Sequence, residues 1–351
     1  MSIYAATYPL SQRSDGHYLP SDTVDFMLEF AGREIVKNSI RISGNLVVLQ
    51  DEEPVNDTQA IYYDSKVGAA GLVQQFIVSS SDRVIQNFQS VPRYLAMHES
   101  AKNLAITTGG TLDNAAAMKA ASDDDTSVLM ANGPKSFSFK PHIGINNSSA
   151  NIPYSKFGQL KITALISSVT QYLWGADVDG NTDFYLTDLQ LSYMTVPEET
   201  KGPVNMEVIT SIKQTVSSPQ NQLSVICPNA SEAVVMSFVP LASENTAGEN
   251  FTRLAQLPGV SRVESSYNDV TIGTALQFDL QNSSEIALNY LMAMGWDGIT
   301  SETADGAYYG IGFGFGDAIL PNTKIGVYIE SAVAQNQPFA CYLYFKGVAS
   351  M

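Results

Sequence analysis

The chain has 351 residues, 44% hydrophobic and 15% charged, a length that fits two domains of similar size and a composition able to fill two packed cores. Its formal net charge is −16 and its 19 lysines and arginines are scattered, which argues against recognition of a phosphate backbone and gives a surface that repels anionic lipid headgroups. No run of about 18 apolar residues appears, and residues 1–10 have neither a basic start nor a continuous apolar stretch, so the expectation is synthesis in a cytoplasm without a signal peptide.

Residues 1–20 hold two prolines, three tyrosines and no regular period, which fits equally an extended arm against a neighbour or an inner surface and a merely frayed terminus. Strands follow over 23–50, with Phe26, Leu28 and Phe30 alternating first and Ile40 and Ile42 later. Residues 51–57 are a polar loop. Two short strands over 72–78 and 83–88 flank a polar turn, a hairpin signal. A helix then starts at Ser90 as N-cap, with Pro92 in the first turn and Tyr94, Leu95, Met97, Ala101 and Leu104 as its apolar positions. His98 on this helix has no acid or nucleophile set beside it by sequence, so it reads as a surface or capping histidine. Residues 105–136 break the rhythm as an inserted loop with the acidic run Asp123 to Asp125, expected on an outer face. Strands over 137–142, 159–166 and 184–196 complete the half. In the last two, Leu160, Ile162 and Ala164 alternate with polar residues, as do Leu189, Leu191 and Tyr193.

Residues 197–205 read as a linker, with Pro197 and Pro203 bracketing a charged segment. The second half repeats the order: strands over 206–216, 223–227 and 233–240, loop-like residues 241–262, and a strand over 270–280. A helix is capped by Asn282 with Glu285 three residues on, shows Ile286, Tyr290 and Met294 on one face, and ends at Gly295. Three closing strands lie over 309–316, 324–330 and 341–347. Cys227 and Cys341 sit in apolar strand patterns and read as buried free thiols.

Few motifs carry chemistry. Asp177, Asp179, Asn181 and Asp183, with Asp188 twelfth, resemble a calcium loop, but Thr182 stands where that loop needs glycine and the twelfth residue is not glutamate. A hairpin turn at Asp179-Gly180 accounts for the segment better, so no metal or cofactor is expected, with calcium there as the minor alternative. Gly310, Gly312, Gly314 and Gly316 recur at a spacing of two and no helix follows, so they mark a strand on which a neighbour packs closely rather than a phosphate loop. Three histidines, no Gly-x-Ser-x-Gly elbow and no metal spacing give hydrolase triads and zinc sites poor support, while the abundant carboxylates leave a glycosidase pair open.

The repeated element order, together with Ile152-Pro-Tyr-Ser-Lys-Phe-Gly158, Leu257-Pro-Gly-Val-Ser-Arg-Val-Glu264 and Cys341-Tyr-Leu-Tyr-Phe-Lys-Gly347, resembles the double jelly-roll major capsid proteins of the lineage that includes adenovirus hexons and tailless membrane-containing phages. That resemblance implies an all-β chain with short helices, built as two tandem eight-stranded jelly-roll sandwiches over 21–196 and 206–351. It implies a non-enzymatic structural protein that forms homotrimeric, pseudo-hexagonal capsomers of an icosahedral shell. Its partners would be further copies, penton or minor capsid proteins and an internal membrane, without sequence-specific nucleic-acid binding. Its place would be the virion, with assembly in the host cytoplasm. The chain departs from the pattern in having no basic arm, which points the inner surface toward a membrane or other capsid proteins instead of bare genome, or to a genome contact mediated by cations. The competing reading is a carbohydrate-binding or receptor-binding sandwich, a spike or a glycan-cleaving module, with Trp174, Trp296 and the loop from Asp177 to Asp183 at its site.

Overall fold

The computed structural model describes residues 1–11, 15–64, 67–81, 83–101, 127–129, 134–227, 229–252, 259–268, 270–277, 290, 292–295, 311–331 and 337–351. Each half is a sandwich of two sheets, because strands with apolar residues at alternate positions bury that face only against a second sheet. In the first half, β1 (Ile3–Thr7), β13 (Thr182–Pro197), β4 (Arg41–Gln50) and β10 (Lys135–Phe139) make one sheet, extended by β3 (Arg33–Ile35), β5 (Glu53–Pro54) and β11 (Ile152–Pro153). The facing sheet runs β2 (Thr23–Leu28), β12 (Leu160–Ile166), β7 (Val73–Ser79), β8 (Val84–Gln89). A ribbon of β6 (Tyr62–Asp64) and β9 (Ser127–Leu129) stands apart, and α1 (Val91–Ala101) follows β8. In the second half, β14 (Asn205–Val216), β21 (Phe339–Ser350), β16 (Ser231–Pro240) and β19 (Ile311–Ile319) face β15 (Gln220–Cys227), β20 (Thr323–Glu330), β17 (Arg262–Tyr267) and β18 (Val270–Gln277).

Leaving aside the short extensions, both halves follow one path. The first, eighth, third and sixth strands form one sheet, the second, seventh, fourth and fifth the other, and a helix follows the fifth. Because neighbours are antiparallel, eight strands return the chain to the end where it entered. The turns at 29–40, 80–81, 140–151, 229–230 and 320–322, the passage at 198–204 and both termini therefore gather at one end, here the basal end. Hydrogen bonds hold them there: Arg33 Nη2 donates to Met1 O (2.8 Å) and Val204 N–H to Met351 O (2.8 Å). The turns at 8–11, 15–22, 51–61, 173–181, 217–219 and 241–252 gather at the opposite, loop end.

The predicted strands and first helix appear where alternation marked them, and Leu189, Leu191 and Tyr193 are all buried. A bulge between Thr187 and Gln190 turns Leu189 inward, and Gly44 leaves it room, since a Cβ there would stand 2.9 Å from Leu189 Cδ2. Two elements differ from expectation. Within residues 1–20, read as an arm or a frayed terminus, Ile3–Thr7 is hydrogen-bonded along β13, with Ile3 opposite Thr195 and Thr7 opposite Leu191. Its side chains are largely exposed, so no period marks it. Arg262–Tyr267, read in part as loop, is an inner strand between β20 and β18 whose polar RVESSY sequence hides its pairing. The helix cap at Asn282 and Glu285, and most of the insertion at 105–136, lie outside the described residues, while Gly295 ends its helix at φ +87° as expected. Among the described residues no helix is long and apolar enough to cross a membrane.

Candidate assembly interface

The two sandwiches meet along a seam built by one edge strand of each. β8 and β14 lie side by side in separate sheets without forming a ladder. One hydroxyl bridges them: Ser211 Oγ accepts from Gln89 N–H (2.7 Å) and donates to Gln89 O (2.8 Å). Beside this edge, α1 packs on the outer face of β16 and β21. Ala233, Val235, Val239, Ala340, Tyr342 and Tyr344 join the buried cluster of Val91, Tyr94 and Met97, while Val234, Met236, Phe238, Cys341, Leu343 and Phe345 fill the second sandwich. β16 and β21 are therefore buried on both faces.

Several polar groups inside the seam are paired across it, while Tyr94 Oη is buried there without a hydrogen-bond partner among the described residues. Arg93 of α1 is fully buried, its guanidinium 4.8 Å from the centroid of Phe251 and 5.1 Å from that of Tyr342, and its Nη2 donates to Phe251 O. Burial pulls its pKa down, and Tyr344, Tyr342 and Glu244 pull it back. Glu244 accepts from Tyr342 Oη and from Lys213 Nζ, the latter at 2.7 Å. Tyr344 Oη donates to Ser90 O (3.1 Å), Tyr290 Oη to Met97 O (2.7 Å) and Thr252 Oγ1 to Asp64 Oδ2 (2.7 Å), each across the seam. Lys346 Nζ donates to Met294 O (2.8 Å), capping the helix that Gly295 ends, with Glu207 3.6 Å away. Burial lowers the Lys346 pKa against the pull of Glu207. The sequence reading missed Arg93, Ser211, Tyr342 and Tyr344. The available signal was the unbroken apolar run from Phe339 to Phe345, which marks a strand covered on both faces.

Each chain also carries a bare copy of the same joint. β1 holds in the first half the position of β14 in the second, first strand paired with last. On β14, Met206, Val208 and Ile209 are covered; on β1, Ile3 and Tyr4 are exposed, with Met194 beside Tyr4 and with Tyr8 and Leu10 beyond. At the opposite flank, β18 is the edge strand equivalent to β8. The outer face of the β4 and β13 sheet is polar where its counterpart is apolar: Asn45 Nδ2 donates to Asp188 Oδ2 (2.8 Å) and Ser136 Oγ to Asn45 Oδ1 (2.8 Å).

The calcium-loop candidates lie at the loop end, in the turn entering β13. Asp177 Oδ2 accepts from Ala60 N–H (2.6 Å), Asp179 Oδ1 from Asn181 N–H (2.8 Å) and Gln50 Nε2 (3.0 Å), and Asp183 Oδ1 from Phe184 N–H (2.8 Å). Asn181 Nδ2 donates to Asp51 Oδ1 (2.7 Å), and Thr182 N–H closes the turn on Asp179 O (3.3 Å). The bonds from the Asn181 backbone and Gln50 hold the Asp179 carboxyl below its usual range. Among the described residues, no three His, Cys, Asp or Glu side chains converge as a metal group. His17 stacks on Tyr185 (4.2 Å), and His98 and His142 (5.4 Å apart) sit at the seam, His142 3.8 Å from Glu207. Trp174 is half-buried against Tyr62 (5.2 Å) with its indole N–H closed off from solvent. Trp296 and Gly310 lie outside the described residues.

No protein-family model matches the chain, and no curated protein matches its sequence. Solved structures match over its full length. The Faustovirus major capsid protein superposes with a TM-score of 0.67 at 9% identity, covering 100% of this chain and 90% of that one. The chain has the double jelly-roll fold. A chain of the PBCV-1 virus capsid (TM-score 0.62, 8% identity, 100% of this chain and 94% of that one) and the mavirus major capsid protein (0.52, 11%, 99% and 88%) are built on the same double jelly roll. Two tandem eight-stranded jelly rolls were expected from the element order, and the double jelly roll observed here has that path in both halves.

Proposed function

We propose that this chain is a viral major capsid protein, a structural rather than catalytic subunit whose work is lateral association. Three copies join, the β18 flank of one against the β1 flank of the next, into a pseudo-hexagonal capsomer of an icosahedral shell. The observation that carries this reading is the uncovered copy of the internal joint: an edge covered on β14 by the chain's own first roll is bare on β1. Such a contact is heterologous, and repeated between chains it closes into a ring when the rotation allows. Full-length similarity to the Faustovirus major capsid protein supports the same reading. Because the outer face of the β4 and β13 sheet is polar, the joint between chains is wetter than the one within the chain, which suits subunits that fold first and assemble later. Penton or minor capsid proteins would complete the shell, in the virion after assembly in the host cytoplasm.

Sedimentation velocity tests the proposal. The purified protein is expected to run as a trimer, and Tyr4→Asp with Met194→Asp to run as a folded monomer. A wild type that stays a monodisperse monomer at high concentration overturns it.

A further inference from the structure

A cleft of about 270 Å³ opens beside the seam, walled by β7, β8 and residue 171 of the first roll and by β14, β21 and the loop at 241–252 of the second. It adjoins the bridge described above, since Gln89, whose backbone Ser211 holds, is one of its lining residues. Of the nine described residues that line it, five are carboxamides: Gln74, Gln75, Gln89, Gln171 and Asn245. Charge cancels inside the cleft. Glu244, with its side chain 5% exposed, accepts from Lys213 Nζ (2.7 Å) and from Tyr342 Oη. An anion would have to draw Lys213 away from Glu244, and a cation would have to displace Lys213 from it.

Two of the amides are set and the rest are free. Gln75 Nε2 donates to Asn87 Oδ1 (2.7 Å), which leaves the Gln75 carbonyl to accept, and Gln171 Oε1 accepts from Ser168 N–H (3.1 Å), which leaves its amino group to donate. The side chains of Gln74, Gln89, Ser90 and Asn245 make no hydrogen bond to a described residue. A carboxamide carries donors and an acceptor side by side, so it pairs with a hydroxyl that both gives and takes, or with two neighbouring hydroxyls.

We infer that the cleft binds a neutral, polyhydroxylated molecule the size of one sugar ring, held by both rolls at once. The cleft is just smaller than drug-sized sites of roughly 300–1,000 Å³, and it is polar where those are mostly apolar, which favours a small ligand recognised by hydrogen bonds. Because its walls come from both rolls, the ligand stabilises the docked pair over any state in which they part. The site adds to the structural role proposed above and does not rest on it: every lining residue belongs to one chain, and none is on β1 or β18. A free polyol and the end of a glycan chain offer the same hydroxyl chemistry.

Ligand-observed NMR titration of the purified protein tests the inference, with free glucose and mannitol in one arm and the methyl glucosides, which stand for the end of a glycan, in the other. Binding in either arm supports the site, and the arm that binds separates a free polyol from a tethered sugar. Gluconate and glucosamine, one anionic and one cationic, are expected to bind about fivefold more weakly, the cost of opening an ion pair near the surface. Gln74→Leu with Gln89→Leu is expected to weaken binding about tenfold or more through two lost hydrogen bonds, and Gln222→Leu, outside the cleft, to leave it unchanged. Asn245→Gly suits the backbone there, at φ +58°, so it removes the amide without straining the fold, and it is expected to weaken binding about fivefold. Neutral probes that all fail to bind overturn the inference, as do charged probes that bind as tightly as glucose, or cleft variants that bind as well as wild type. Sedimentation of the same samples reads the capsid proposal separately: a trimer without binding defeats only the cleft, and a monomer that binds defeats only the assembly.

Discussion

Arg93 shows how much of the seam rests on single side chains. It fills the space between Phe251 and Tyr342 and supplies the donor for a buried carbonyl, so Arg93→Ala leaves a cavity and an orphaned acceptor together. The expected loss is about 3 kcal/mol or more, read as a lower urea midpoint, and Arg93→Lys does not restore it because an ammonium lacks the flat stacking surface. Gly347 is constrained from outside its own strand: a Cβ there would fall 1.6 Å from Ala230 O, so Gly347→Ala requires a backbone shift. That change is expected to cost about 2–3 kcal/mol in the same measurement. Cys341 is buried with its thiol pKa pushed up by desolvation, as the sequence reading of a buried free thiol expects. In a Cys227→Ser background no thiol should react with Ellman's reagent until urea unfolds the chain. Arg93 itself was not legible, since one arginine in the first turn of a helix says nothing about what lies above it.

At the scale of elements, legibility followed solvent. β12 and β2 were readable because each buries one face and wets the other, so the period of two survives in the residues. β1 was missed because most of its residues are exposed, and β17 because its inward positions include Ser265 as well as Val263. β21 was found, but Tyr342 and Tyr344, which alternate with its core residues, face the other roll instead of water. The glycine strand behaves as anticipated at one position. A Cβ on Gly312 would stand 2.9 Å from Ala293 Cβ and 3.1 Å from Tyr290 Cα, so the helix sits directly on it, whereas Gly314 has only Glu232 O at 3.9 Å. Gly312→Val is therefore expected to lower the melting temperature while Gly314→Ala leaves it nearly unchanged. Ser211→Ala removes the hydroxyl that bridges β14 to β8. It is expected to cost about 1 kcal/mol, less than the loss of Arg93.

For the whole molecule, doubling was legible and polarity was not. The order of strands and helices repeats in the sequence, but which turns share an end depends on the direction of all sixteen sandwich strands. Crowding of carboxylates at the loop end makes neighbouring copies repel when they stand side by side. Raising ionic strength from about 0.01 M to 0.15 M shrinks the screening length from about 30 Å to 8 Å. Light scattering of the purified protein is accordingly expected to show faster assembly at the higher salt, and assembly that is indifferent to salt would contradict this account. The even number of strands in each roll has a practical outcome. Met1 and Met351 emerge at one end of the molecule and residues 51–57 at the other, so under the capsid proposal a peptide fused to either terminus and one spliced into residues 51–57 would lie on opposite sides of the shell, and added protease would reach only one of the two.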